Sequence, residues 1–562
     1  MKKIFKYITV VLLAGGFFNS CETTEMNLRV SPNDLAANQA DPNLLLNSIQ
    51  LAYVSNMTTI SNLGGQLTRI DYMSGRNYFN NYPGDTFNSI WSRTYSSAFN
   101  SEGSSDPSVG IWTNIEALKE IDEASDIDYS FHIAVGQTLK AHMLLLLVDY
   151  LGGAVLSQAG NPDEFPAPLL DEGQAVYTGA LALLDEAAAL FAKNPQATGV
   201  SDFFYGGDST KWIKLVNSIK LKAHVTTGNL AAFNAIIAQG NFIANNEDDF
   251  QFQYGIRELQ PDTRHPDYAD DYTPSGANIY QSNWLMENML LKNDPRIRYY
   301  FYRQVNGTPG ALDANGVPVD PNEEELACSL AQAPLHYVDG GYSYCSVNSG
   351  YWGRSHGNNE GTPPDGFQRT ASGVYPAGGR FDDSSFGNVG LGVGGGGAGI
   401  APIILASYID FWRAELAPEA QKAEFLRAGL TKSIAKVQSF GSLDSSADFT
   451  VAPKAAEVTN FIDSQVTAFN AASGDTKENI LAENYFITLY GGATEAYNYY
   501  RRTGYPTTLS PNWELNPGAF PRTFLYPQNE VITNSNLTQK MNNSQQVFWD
   551  TNPAGPAFPS AN

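Results

Sequence analysis

Ala496-Tyr497-Asn498-Tyr499-Tyr500-Arg501-Arg502-Thr503-Gly504-Tyr505-Pro506, with Phe520-Pro521-Arg522 and Tyr526-Pro527-Gln528-Asn529-Glu530 close behind, ends the regular part of this 562-residue sequence. Two arginines in the last turn of a helix suit the negative end of its dipole, and the stop comes before Pro506. The pattern is a helix C-terminus followed by a Pro- and Asn-rich tail from Thr503. Upstream, helical pattern runs through Glu478 to Tyr500, Ala455 to Ala471, Pro418 to Phe440 and Ile403 to Leu416, with Pro402 as a first-turn residue.

The other half of the chain reads the same way. From Asn43, residues Leu44, Leu45, Ile49 and Leu51 to Tyr53 fit one helix face, and Phe87, Ile90, Trp91, Tyr95 and Phe99 recur at helical intervals. Helices are then expected over Ser108 to Ser125, Phe131 to Leu151, Glu172 to Phe191, Thr210 to Thr227 and Leu230 to Gln239. Consecutive antiparallel helices of this size predict an all-α fold, a helical-repeat scaffold of tetratricopeptide type, although no clean consensus repeat is present. Between Pro261 and Ile400 the chain turns to Gly, Pro, Asn and Asp, broken by one helical piece from Asn278 to Lys292. Long loops inside a folded domain are usually functional. The expected organisation is one domain over 40–562, with scaffold at 43–240 and 402–502, a loop-rich insert at 261–400 and a tail at 503–562.

Ahead of that domain, Lys2, Lys3 and Lys6 precede an apolar run from Ile8 to Leu13 and the small residues Ala14, Gly15 and Gly16. This is the form of a signal peptide over residues 1–20, too short in its apolar part to span a bilayer. Cys21 follows at once and reads as a lipoprotein cleavage site, with residues 21–39 as lipidated cysteine and flexible tether. The formal charge is −24, and −27 once residues 1–20 are removed. So acidic a surface repels nucleic acid and anionic lipid, leaving neutral or cationic ligands. Of the three cysteines, Cys328 and Cys345 remain beyond Cys21, either as a disulfide permitted by export or as two thiols.

Signatures of catalysis are missing: no His-Glu-x-x-His, no Gly-x-Ser-x-Gly and no phosphate loop ending in Gly-Lys-Ser/Thr occurs. Gly390, Gly392 and Gly395 match a dinucleotide spacing but lie in a glycine run with no strand before it, and read as a flexible loop. Asp270-Asp271 and Glu323-Glu324-Glu325 read as solvated acidic faces, and Asp313-x-Asn315-Gly316 as a calcium-loop start without its closing glutamate. His142 and His224 fall in helical patterns as core or surface residues. No metal or cofactor is expected.

The chain does hold 30 Tyr and 8 Trp. Sugar rings pack their C–H faces on aromatic planes, and their hydroxyls need short polar partners. Two loop stretches mix those types: Asp71 to Tyr82, and Tyr342 through Tyr344, Tyr351, Trp352 and Arg354 to Asn358. Within them the ligand-binding candidates are Tyr72, Arg76, Tyr78, Asn81, Tyr82, Tyr342, Tyr344, Trp352 and Arg354. Tyr78, Tyr82, Tyr344 and Trp352 are expected as stacking faces, Trp352 first among them, and Arg76, Asn81 and Arg354 as polar partners. Trp91 and Trp284 lie on helical periods and are expected in the core.

Together these residues resemble the SusD/RagB family of outer-membrane nutrient-binding lipoproteins, most of all its SusD-like branch. The resemblance rests on the Ala496 to Pro506 run with Phe520-Pro521-Arg522 and Tyr526 to Glu530, and is supported by Asn293-Asp294-Pro295-Arg296 and Arg413-Ala414-Glu415-Leu416. It implies four tetratricopeptide-like helix pairs, long loops bearing the ligand site, and binding in place of turnover. It further implies a SusC-type TonB-dependent transporter as partner, a glycan as ligand (a peptide in RagB-type relatives), and a lipid-anchored place in the outer membrane. A secreted hydrolase is the reading from a different class.

Overall fold

The computed structural model describes residues 40–95, 110–194, 196–307, 326–359, 365–366 and 368–553. The leader, the tether, Cys21, Phe99, the Asp313 loop start and the Glu323–Glu325 cluster lie outside the described residues. Helix makes up 51% of the structure and strand 5%, in ribbons of two strands, so the fold is all-α.

Helix α1 (Pro42–Leu67) starts where Pro42 needs no N–H partner and the Asp41 carboxylate accepts from Asn43 N at 2.9 Å. After it come α2 (Asn88–Tyr95), α3 (Ile111–Ala124), α4 (Ser130–Leu151), α5 (Gly173–Phe191), α6 (Ser209–Thr226) and α7 (Leu230–Gln239). Each of α3 to α7 packs on the next, the arrangement expected of stacked helix pairs. Helix α4 has no exposed polar face, its few polar side chains being buried with the rest. It is long and apolar enough to cross a membrane, but all of it is buried among its neighbours.

The C-terminal arm repeats the scheme. Helices α9 (Ala406–Leu416), α10 (Glu419–Ser439), α11 (Ala455–Ala471) and α12 (Gly474–Thr488) pack in sequence, and α13 (Thr494–Thr503) crosses back onto α1 and α6. Helix α8 (Asn283–Lys292) stands in the loop-rich segment. It starts five residues later than the pattern suggests, because the N–H groups of Asn278 and Ile279 bond to Asp271 and Ser282 supplies the N-cap.

Two boundaries differ from the sequence reading. Pro402 lies in a strand, Ile400–Ile404, paired antiparallel with Phe250–Gln253; the run is buried on both sides, and α9 begins later, at Ala406, whose N–H meets Asp249 Oδ1 at 2.7 Å. The helix expected over Glu478 to Tyr500 is two helices. Gly491 takes φ 84°, and a Cβ on Gly492 would lie 2.6 Å from Pro402 O, so the chain turns there against the strand.

The family-like motifs are cross-links of this frame. Arg502 grips Glu415 of α9 through two hydrogen bonds of 2.9 and 2.7 Å, and Arg296 pairs with Asp294 while reaching Ser433 and Thr488 at 2.8 Å each. Arg501, fully buried, lies 3.7 Å from the Tyr497 ring centre and donates to Asp149 O at 2.8 Å. Gly504 closes α13 at φ 80°.

Candidate functional site

The loop after α1 is set by Arg69, which is buried at φ 62° and donates to Ser510 O (3.0 Å), Leu67 O (2.6 Å) and Tyr78 OH (3.3 Å). A short helical turn, Tyr78–Asn81, is capped by the Asn77 side chain. These fixings bring the loop against the second aromatic stretch. Met73 O accepts from Gly357 N at 3.0 Å, the Tyr72 hydroxyl donates to Asn358 O, and Arg76 Nε donates to Asn359 Oδ1 at 3.1 Å. Two stretches some 270 residues apart in sequence thus form one surface.

What that surface presents is a subset of the expected residues. Arg76 is exposed, and Tyr72, Asn81, Tyr342 and Tyr344 are half-buried. Asn81 bonds Ser74 O and closes its own turn, and Tyr344 packs edge-on to Tyr337 at 6.2 Å. Tyr342 lines a cavity of about 350 Å³ together with Trp284, Glu287, Asn288, Lys292, Ser343, Ser355, Glu483, Thr508 and Ser510. The mixture of ring, amide, hydroxyl and charged groups suits a polyhydroxylated ligand.

The remaining four candidates are corrected to packing roles. Trp352 is fully buried with Val305, Leu326, Cys328 and Cys345, and its indole N–H donates to Gly307 O at 2.8 Å. Tyr78 sits between His356 and Phe520; Tyr82 donates to Gln66 Oε1 at 3.2 Å against Phe524. Arg354 is buried, paired with Asp365, 5.0 Å from the Tyr280 ring centre. Long loops bury their own aromatics, here against one another, the end of α1 and the tail. Trp91 and Trp284 are core, as their periods indicated.

Three contributors escaped the sequence reading. Tyr280 meets Tyr72 edge-on at 5.5 Å, Arg369 lies 4.1 Å from the Tyr280 ring centre, and Trp513 carries the Arg76 guanidinium at 4.8 Å. Tyr280 and Trp513 do show the same signature, an aromatic beside Asn and Ser, but Tyr280 falls in the stretch read as helical from Asn278 and Trp513 in the tail.

Other motifs resolve plainly. Asp271 is buried and accepts from the N–H groups of Asn278, Ile279 and Ser372, so it organises backbone where a solvated face was expected; burial pushes it up to about 7. The later part of the glycine run packs backbone on backbone, Gly395 N to Gly379 O at 3.0 Å and Gly397 N to Gly378 O at 3.1 Å, where a Cβ on Gly395 would lie 2.9 Å from Gly378 O, while a Cβ on Gly390 or Gly392 would meet nothing within 4 Å. Cys328 and Cys345 form a disulfide with Cα atoms 5.4 Å apart. His142 is buried at 2.6 Å from the Tyr53 hydroxyl, and burial lowers its pKa. Among the described residues no group of three or more His, Cys, Asp or Glu could hold a metal.

Stacked helix pairs carrying a face of long loops define a helical-repeat protein of tetratricopeptide-like class. The chain belongs to the SusD-like family, whose model, described as starch-binding associating with outer membrane, matches residues 32–337 and 382–527. Solved structures share the fold. A SusD homolog from Bacteroides uniformis is 18% identical, with TM-score 0.61 over 92% of this chain and 100% of its own. A chitin-binding protein is 19% identical, with TM-score 0.60 over 91% and 100%, and a SusD/RagB family protein from Bacteroides thetaiotaomicron 17%, with 0.59 over 92% and 100%. No curated protein matches the sequence.

Proposed function

We propose that the protein is an outer-membrane lipoprotein, anchored through Cys21, which captures a glycan on the joined loop surface and passes it to a SusC-type TonB-dependent transporter. The observation that carries this reading is the meeting of the 71–82 and 342–359 loops, which leaves Tyr72 and Tyr342 half-buried and Arg76 exposed over the Trp513 ring. Rings supply stacking area at low entropic cost, and the neighbouring amides and hydroxyls supply hydrogen bonds. Binding in place of turnover accords with the family, and the chitin-binding relative lends support to a polysaccharide. Isothermal titration against neutral polysaccharides, sialylated glycans and oligopeptides tests the ligand class: saturable heat with a glycan supports the proposal, and heat with peptides alone overturns it. Cys21→Ala should move the protein to soluble fractions, and purification from mild detergent should recover a TonB-dependent barrel. Retention of Cys21→Ala in the membrane pellet would sink the anchor.

A further inference from the structure

Behind the Tyr342 cavity, across α8, lies a second cavity of about 670 Å³. Glu287, Asn288 and Leu291 line the first, while Met289, Leu290 and Asn293, on another face of the same helix, line the second. Lys292 falls between the two faces and lines both, its ammonium held by Glu483 at 2.6 Å and Asn288 at 2.7 Å. The far wall of the second cavity is the start of α11, with Phe461 buried and Asn460 and Ser464 exposed. Its volume lies within the range of small-ligand sites, about 300–1,000 Å³.

The charges around it do not cancel. Arg298 and Arg303 both line the cavity and both depend on Asp382. Arg303, buried against the rings of Tyr351 and Phe386 at 5.0 and 5.2 Å, takes the carboxylate, Nε to Oδ2 at 2.6 Å and Nη2 to Oδ1 at 3.3 Å. Arg298 is left with neutral groups. Its Nη1 donates to Asp382 O at 2.8 Å and Ser384 Oγ at 3.0 Å, and stays 3.9 Å from the Asp382 carboxylate. Its Nε and Nη2 donate to nothing among the described residues, and the side chain is 29% exposed. Two carboxylates also line the cavity: Asp294 is paired with Arg296, and Glu457, exposed at the rim, accepts from Lys454 N at 2.7 Å. One edge of a guanidinium is therefore unspent at a cavity wall. Such an edge offers two parallel N–H donors, the match for a carboxylate or a sulfate. The formal charge of −24 does not decide against an anion here, because salt screens exposed charges beyond roughly 8 Å while a bound oxyanion touches Arg298 itself.

We infer that this cavity receives an acidic unit of the glycan, a uronate or a sulfated sugar, with its oxyanion on the Nε and Nη2 edge of Arg298. The inference rests on the proposed glycan capture and narrows its ligand to an acidic chain that crosses Lys292 from the Tyr342 cavity. Isothermal titration of the full-length protein in detergent should compare oligogalacturonate and chondroitin sulfate oligosaccharides with their methyl esters, with desulfated chondroitin and with neutral xylo- and malto-oligosaccharides. Esterification removes the uronate charge and leaves the sulfate, so the two oxyanions are told apart. An acidic oligosaccharide should bind about tenfold more tightly than its form lacking the recognised charge, and should weaken as salt rises from about 0.05 M to about 0.5 M. Arg298→Gln should abolish that preference and leave binding of the uncharged form as it was, and Arg298→Lys should keep part of it. Binding of neutral oligosaccharides with no preference for either acidic one would overturn the inference and leave glycan capture standing; binding of no glycan would overturn both. Should Arg298→Gln prove unstable, the wild-type comparison of charged and uncharged forms decides alone.

Discussion

Trp352 spends its indole N–H on Gly307 O inside a small cluster closed by the disulfide, and that decides its role. Trp352→Ala should empty a large buried volume and cost about 3–5 kcal/mol, measured by chemical denaturation. Tyr342→Ala removes a half-buried ring from the cavity wall; it should weaken glycan binding by on the order of 2 kcal/mol, about thirtyfold, and leave the melting temperature nearly unchanged. Two tyrosine-rich loops were legible as aromatic loop stretches, but which of their rings face out was not. Trp352 is flanked by Tyr351 and Gly353 with no helical period, and what covers it, Val305 and Leu326, comes from other parts of the chain. Asp71 gives a pH test. Its pKa is about 7 in the fold and near 3.8 unfolded, so between those values the native state holds the extra proton. Its contribution is full below about pH 4 and fades as pH rises to about 7. Melting temperatures should fall from pH 5.5 to pH 8, and Asp71→Asn should flatten part of that slope; an unchanged slope would place the titration elsewhere.

At the scale of elements, helical periodicity located most of the scaffold, Leu230–Gln239 and Ala455–Ala471 to the residue, since apolar stripes report burial directly. It failed where tertiary contact sets the backbone. Nothing local distinguishes Ile400–Ile404 from a helix start; its partner strand lies about 150 residues earlier. Nor does periodicity reveal the break at Gly491, where a Cβ would lie 2.4 Å from Pro376 Cγ. Gly491→Ala should therefore cost at least about 1–2 kcal/mol, from left-handed backbone and from contact together. The disulfide borders the candidate site as well, with 17 residues of separation between Cys328 and Cys345 and Tyr342 inside the closed loop. In the chain-entropy model such a closure stabilises by roughly 3 kcal/mol. Reduction should raise hydrogen exchange around Tyr337 to Tyr344 and weaken glycan binding, with smaller change in α4 and α5.

Over the whole molecule, the two helical arms and the tail meet at one buried carboxylate. Asp149, at the end of α4, pairs with Lys222 of α6 and accepts from the Tyr177 hydroxyl of α5, from Asn498 Nδ2 of α13 at 2.8 Å and from Trp549 Nε1 in the tail at 3.0 Å. Glu495, also buried, lies 3.5 Å from the same lysine, and Arg501 adds its bond to Asp149 O. One ammonium thus offsets two carboxylates in a region closed to solvent. Buried ion networks of this kind add little net stability over apolar packing, yet removing one partner is expensive because the others stay buried and charged. The helix-end motif, legible as a C-terminus and a stop, owes its residues to this junction: Asn498 and Arg501 face it from one side of α13 while Arg502 turns to α9. Lys222→Met should cost about 3–5 kcal/mol. Because α4, α6, α13 and the tail share the site, the loss should appear as one cooperative transition at lower denaturant with its slope unchanged. Adding Glu495→Gln to Lys222→Met should recover part of the loss by removing one stranded charge, a coupling a double-mutant cycle measures. Two separate transitions in the single variant would show that the arms fold independently and that Asp149 is not their common tie.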